Sequence, residues 1–369
     1  MAGTKRVFLH IGAPKTGTTY LQAVFAHNRA ALRSRGILYP TGIAGAHHTA
    51  AWDLRGTPAQ RTGAQGIEGA WAALVAAAHG WHGHTVIVSS ELLVFCDEKQ
   101  ITTALEAFDA EVHVVYTARD LVRQVPAAWQ ERIKNQQTLT YREFVDSVVR
   151  PGKKSARHGF WRAQDASAVL GRWSVGLAPS RVHVVTTPPA TGPRTVLLER
   201  FASVFGLRAA DLATDTPSQA NESLGLLQTE LLRRYNERHG KDLPWPLYRR
   251  TIRLQLGSAF GAIHDDRKLA LTPSERAFLV ERATAMVDAL ARPGFDVVGD
   301  LRDLVPAEQP REEQGAGRPT DTAAVTETEL LAAAVDVMHA VLSGEELERQ
   351  EAKRAAKRPH RDRSDVSDA

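Results

Sequence analysis

Short apolar runs alternating with amphipathic stretches set the plan of this chain. Arg6–Ile11 is an apolar run that breaks at Gly12. Thr18–Arg33 then reads as a helix, with Leu21, Val24, Phe25 and Leu32 near one face and Gly36 closing it. Thr85–Ser89, Val112–Thr117 and Arg181–Thr186 are β-branched runs of strand length. Between them, helical spacing links Ile67, Trp71, Leu74, Val75 and Ala78, and Asp97 caps a helix carrying Ile101, Leu105 and Phe108. A further helix follows Asp120 to about Asn135, Thr195–Phe205 is closed by Gly206, and Ser223–Arg238 is amphipathic. Capping boxes start helices at Thr140/Glu143 and at Thr272/Glu275, the second with Pro273 at the first helical position. Strands alternating with helices predict βαβ units. The expected fold is α/β, three-layer αβα, with a central, mainly parallel sheet of about five strands.

In such a sheet ligands bind beyond the carboxyl ends of the strands. Gly12–Thr19, Ser90-Glu91 and Arg119 each follow a strand and are expected to meet at one edge. The first of these stretches carries most of the chemistry. Strand, glycine-bearing turn and helix N-terminus form an anion-binding device, in which backbone N–H groups and the helix dipole converge. Gly12 and Gly17 allow close backbone approach, Lys15 supplies a cation, and Thr18 and Thr19 supply hydroxyl donors. A Walker A loop places lysine directly after its second glycine. Here Thr18 stands in that position and Lys15 lies inside the loop, which weakens an NTPase reading.

Composition limits the remaining choices. The chain has 369 residues, 43% hydrophobic and 24% charged, as expected of a globular protein with ample core. Its one cysteine, Cys96, rules out an internal disulfide and suits a reducing compartment. With no signal-peptide pattern and no apolar run of membrane-spanning length, a cytoplasmic location is expected. A formal charge of +4 fits an anionic ligand and is too small to imply nucleic acid. Composition shifts at Pro306: residues 1–305 read as one domain, 306–322 as a linker, 323–345 as an isolated helix and 346–369 as a disordered basic tail.

The motif Pro14-Lys15-Thr16-Gly17-Thr18-Thr19 resembles the 5′-phosphosulfate loop of sulfotransferases that use 3′-phosphoadenylyl sulfate (PAPS), and the likeness is nearest to the bacterial carbohydrate type. The resemblance implies a P-loop NTPase-like fold and transfer of a sulfuryl group to a hydroxyl or amine of an acceptor, a carbohydrate, glycolipid or other small molecule, with no metal required. It implies that residues 14–19 hold the donor's 5′-phosphate. It also implies that Arg119, in the strand-then-arginine sequence Val114-Val115-Tyr116-Thr117-Ala118-Arg119, holds the 3′-phosphate. The family's serine two turns into the next helix is matched by Ala127, so either a neighbour such as Arg123 supplies the second contact or the donor is held more weakly than is usual in the family. Lys15 is expected to neutralise the departing phosphate oxygen. Glu91 is the first choice of base and His48, or its neighbour His47, the second. The Lys153, Lys154, Arg157 and His158 loop is a further place where an acidic acceptor could bind, or a solvated run. Trp52, Trp71, Trp129, Trp161 and Trp173 are read as packing. Two other functions remain open: a P-loop kinase or NTPase, and a nucleotide-binding module without catalysis.

Overall fold

The computed structural model describes residues 4–40, 46–150, 159–189, 192–193, 195–215, 224–252, 259–261, 263, 265, 267, 269–306 and 324–356. Six parallel strands form one sheet in the order β2-β3-β1-β4-β5-β6. They are β1 (Arg6–His10), β2 (Ile37–Leu38), β3 (Thr85–Ser89), β4 (Glu111–Ala118), β5 (Val182–Thr186) and β6 (Asp296–Val298). The fold is α/β, with helices on both faces of the sheet, and the four long runs seen in the sequence are its four inner strands. The two additional strands, β2 and β6, are two and three residues long at the edges, too short for β-branched periodicity to mark them.

Buried alternation along the strands separates the two faces. Val7, Leu9, Val86, Val88, Val114 and Val184 pack against helices that include Ala70–His79, Glu98–Glu106 and Ala166–Trp173. Phe8, Ile87, Val115 and Val185 face the helices Thr18–His27, Arg29–Ser34 and Thr195–Ser203. The helix expected over Thr18–Arg33 is two helices, parted at Asn28, whose amide donates to Val24 O and Ala213 O. All three predicted capping boxes or caps form: Asp97 with Gln100, Thr140 with Glu143, Thr272 with Glu275.

A second core lies beyond the strand ends. It joins the helices Leu121–Lys134, Tyr141–Val149 and Leu226–His239 to the far side of Pro273–Ala291. The C-terminal helix runs Glu327–Ala356, longer than the expected 323–345, and it is packed rather than isolated. Its Leu330, Ala333 and Val337 enter this second core, and Arg234–Glu327 and Arg267–Glu329 ion pairs flank it. Part of the segment expected as a basic tail therefore continues this helix to Ala356. The linker from 307 and the chain beyond 356 lie outside the described residues. No helix among them is long and apolar enough to cross a membrane.

Candidate active site

Strand register brings the three predicted stretches together. His10 at the end of β1 pairs with Ser89 of β3 and Val115 of β4, so the segments leaving these strands emerge side by side. The loop after β1 stays hydrogen-bonded between its neighbours: Ile11 N donates to Val115 O at 3.0 Å, Ala13 N to Thr117 O at 2.8 Å, and Ser90 N to His10 O at 3.0 Å.

Below the loop a buried polar chain fixes its shape. Gln22 Nε2 donates to Ser89 Oγ at 3.3 Å, and Ser89 Oγ lies 2.7 Å from His10 Nδ1. His10 Nε2 lies 3.3 Å from Thr117 Oγ1, which donates to Gly12 O at 3.0 Å. One set of protons satisfies every link: the Ser89 hydroxyl donates to Nδ1, and Nε2–H donates to Thr117. His10 is therefore neutral, in keeping with burial that pushes its ring down to about 3. Thr16 Oγ1 donates to Ala13 O at 2.6 Å and lies 2.5 Å from Thr117 Oγ1, so this hydroxyl serves the loop's own shape.

The loop crosses left-handed backbone space three times, at Gly12 (φ 121°), Lys15 (φ 67°) and Gly17 (φ 91°). Gly17 also sits under a side chain from the opposite helix, since a Cβ there would stand 2.5 Å from Leu197 Cδ2. Both demands require glycine. Helix Thr18–His27 begins directly afterwards and carries no side-chain N-cap, which leaves its first N–H groups for a ligand in the turn.

The helix after β4, Leu121–Lys134, lies along the loop. Gln124 Nε2 donates to Pro14 O at 2.5 Å, Arg119 Nη1 donates to Lys15 O at 3.1 Å, and Lys15 Nζ meets Glu131 Oε2 at 3.1 Å. Two buried polar atoms here, Arg119 Nε and Gln124 Oε1, have no hydrogen-bond partner among the described residues. Burial is also the largest cause lowering the Arg119 pKa, with Arg123 adding to it and Asp120 opposing it. A buried guanidinium with a spare donor favours an anion beside it. Arg123, expected as a second phosphate contact, is committed elsewhere. Its Nε contacts Asp120 Oδ2 and its Nη2 donates to Pro188 O at 3.0 Å.

On the other side of Gly12, the two rival bases form one pair. His48 Nε2 lies 3.8 Å from Glu91 Oε2, and His48 Nδ1 lies 2.7 Å from Ser90 Oγ. Gln22 Nε2 orients the carboxylate, donating to Glu91 Oε2 at 3.0 Å. His47 is separate from this pair and excluded as a base by its bonding. Its Nδ1 accepts from Ser89 N at 2.8 Å, its Nε2 donates to Pro40 O, and burial pushes the ring down to about 4. Cys96 is buried, and its thiol is pushed up to about 12 by burial, so it is no nucleophile.

Trp129 and Trp173 are fully buried core residues. Trp52 is half-buried, with its ring 6.5 Å from that of His48, and it lines a cavity of about 340 Å³ with Arg55, Thr57 and Thr62. The loop 153–158 lies outside the described residues. Among the described residues no group of three His, Cys, Asp or Glu side chains is arranged to hold a metal ion. Gln22, Gln124 and Glu131 were not singled out from the sequence, because ordinary polar residues on helices carry no signal until packing brings them to the loop. His10 did carry one, as a polar residue that directly follows the apolar run Val7-Phe8-Leu9 within its strand.

Comparison of the chain with family models, with curated proteins and with solved structures returns no match.

Proposed function

We propose that this chain is a PAPS-dependent sulfotransferase. The observation that carries the reading is the placement of Lys15 inside a glycine-bounded turn, with the spare guanidinium donor of Arg119 on one side and the His48–Glu91 pair on the other. Such a site offers two separate cationic anchors for a nucleotide carrying two phosphate groups, and a proton acceptor where the acceptor hydroxyl arrives. Backbone N–H groups of residues 16–19 would hold the 5′-phosphate and Arg119 the 3′-phosphate.

In the reaction, the acceptor oxygen or nitrogen forms a bond to sulfur as the bond from sulfur to the bridging phosphate oxygen breaks. The products are the sulfated acceptor, adenosine 3′,5′-bisphosphate and one proton. Lys15 meets the charge developing on the departing oxygen. The His48–Glu91 pair takes the acceptor's proton. Ser90 fixes the imidazole and Gln22 fixes the carboxylate, so either member can hold that proton while the other stabilises it. Trp52 and the cavity beside it offer a carbohydrate acceptor an aromatic face and hydroxyl partners.

A kinase reading fares less well on one point. Asp120, the carboxylate nearest the end of β4, caps the following helix through Arg123 N at 2.9 Å and pairs with the Arg123 guanidinium, so it is spoken for as a metal ligand. Calorimetry decides between them: adenosine 3′,5′-bisphosphate is expected to bind with chelator present, and ATP with Mg²⁺ is not. The reverse result would refute the proposal. Incubation with ³⁵S-labelled PAPS and candidate sugars then tests transfer itself.

A further inference from the structure

Lys15 is already engaged by a carboxylate of its own chain. Its Nζ lies 3.1 Å from Glu131 Oε2, and the two side chains are 31% and 34% exposed. The carboxylate is held in place, since Asn135 Nδ2 reaches Glu131 Oε1 at 3.4 Å and bonds the Glu131 carbonyl at 2.8 Å. The lysine backbone is held as well, with φ at 67° and its carbonyl accepting from Arg119. Helical spacing puts positions 124, 127 and 131 on the loop-facing side of Leu121–Lys134. Gln124 and Glu131 both contact the loop from this side, and the position between them is Ala127, which has no polar group to offer.

Resting on the donor reading above, we infer that Glu131 competes with the bound anion for Lys15. It is a positioning residue. With the cradle empty, Glu131 holds the ammonium against the helix. As the ligand phosphate arrives the lysine turns to it, and as the bisphosphate leaves Glu131 takes the lysine back. An ion pair whose two side chains are each about a third exposed is weak enough to be exchanged in this way. A fully buried pair would hold the lysine permanently. The loop therefore releases its product more readily than its donor groups alone would allow.

The test is a double-mutant cycle on the full chain, titrated calorimetrically with adenosine 3′,5′-bisphosphate and, separately, with inorganic pyrophosphate. Glu131→Gln keeps the shape and removes the charge, and is expected to bind about five- to tenfold tighter, up to about 1.4 kcal/mol. In a Lys15→Met background the same change is expected to alter nothing. Equal or weaker binding by Glu131→Gln, or the same gain without Lys15, overturns the competition. If the bisphosphate binds no variant while pyrophosphate shows the expected gain, the donor reading falls and the competition stands. If neither anion binds, both fall.

Discussion

His48 Nε2 and Glu91 Oε2 stand 3.8 Å apart, so two residues that the sequence presents as rival bases belong to one unit. Members of such a unit lose their effects together when removed. Glu91→Gln and His48→Ala are each expected to lower turnover about 10²–10⁴-fold, and the double variant to fall little further. Steady-state rates with ³⁵S-labelled donor measure this. Strictly multiplicative losses would separate the two residues.

Lys15→Ala is expected to reduce kcat by about 10²–10³-fold, because the departing phosphate oxygen loses its counter-charge. Wild-type turnover in this variant removes Lys15 from the chemistry. The effect on the Michaelis constant should be much smaller, since Glu131 already offsets part of the lysine's charge in the empty site.

Arg119 distinguishes between ligands. Arg119→Lys loses the planar fork and is expected to weaken adenosine 3′,5′-bisphosphate binding by about 1–3 kcal/mol. Adenosine 5′-phosphate, which lacks the second phosphate, should be affected far less. Equal losses for the two nucleotides would mean that Arg119 acts only through its bond to Lys15 O.

Gly17→Ala adds a Cβ at φ 91° and 2.5 Å from Leu197 Cδ2. The combined strain and overpacking are expected to cost about 1–3 kcal/mol of stability. Chemical denaturation measures it, and an unchanged midpoint would show that the loop relaxes freely.

His10 and His47 set an acid limit. Burial pushes their rings down to about 3 and about 4. Each binds a proton in the unfolded chain near its ordinary pKa and resists it when folded. Their contribution is complete above about pH 6.5 and is lost as pH falls toward those values, about 2–3 kcal/mol each by pH 4.5. Denaturation at pH 7 and pH 4.5 should show this loss in the wild type. His47→Gln, which keeps a donor and an acceptor, should shrink it by about one histidine's share, and an unchanged difference would contradict the argument.

The inner strands, the capping boxes and the glycine-bounded lysine loop were legible in the chain itself because each depends on local chemistry. β-branched runs make strands, Thr-x-x-Glu satisfies a helix N-terminus, and Gly12 and Gly17 permit backbone that other residues resist. From alternation alone it also follows that Gly12–Thr19, Glu91 and Arg119 share one edge of a parallel sheet. Other features depend on contacts distant in sequence and were decided only in three dimensions. β2 and β6 exist because longer strands offer them hydrogen bonds. His47 is separated from His48 because adjacent positions of the helix Ala46–Leu54 point about 100° apart, the first into the core and the second toward Glu91. Arg123 is taken up by Asp120 and Pro188, and Glu131 reaches Lys15 across a separation of 116 residues. Sequence determined which groups lie near the glycine-bounded loop, since strand order and turn chemistry are written locally. Tertiary packing decided which of them are still free to act, because a side chain's availability depends on partners that only the folded chain brings within reach.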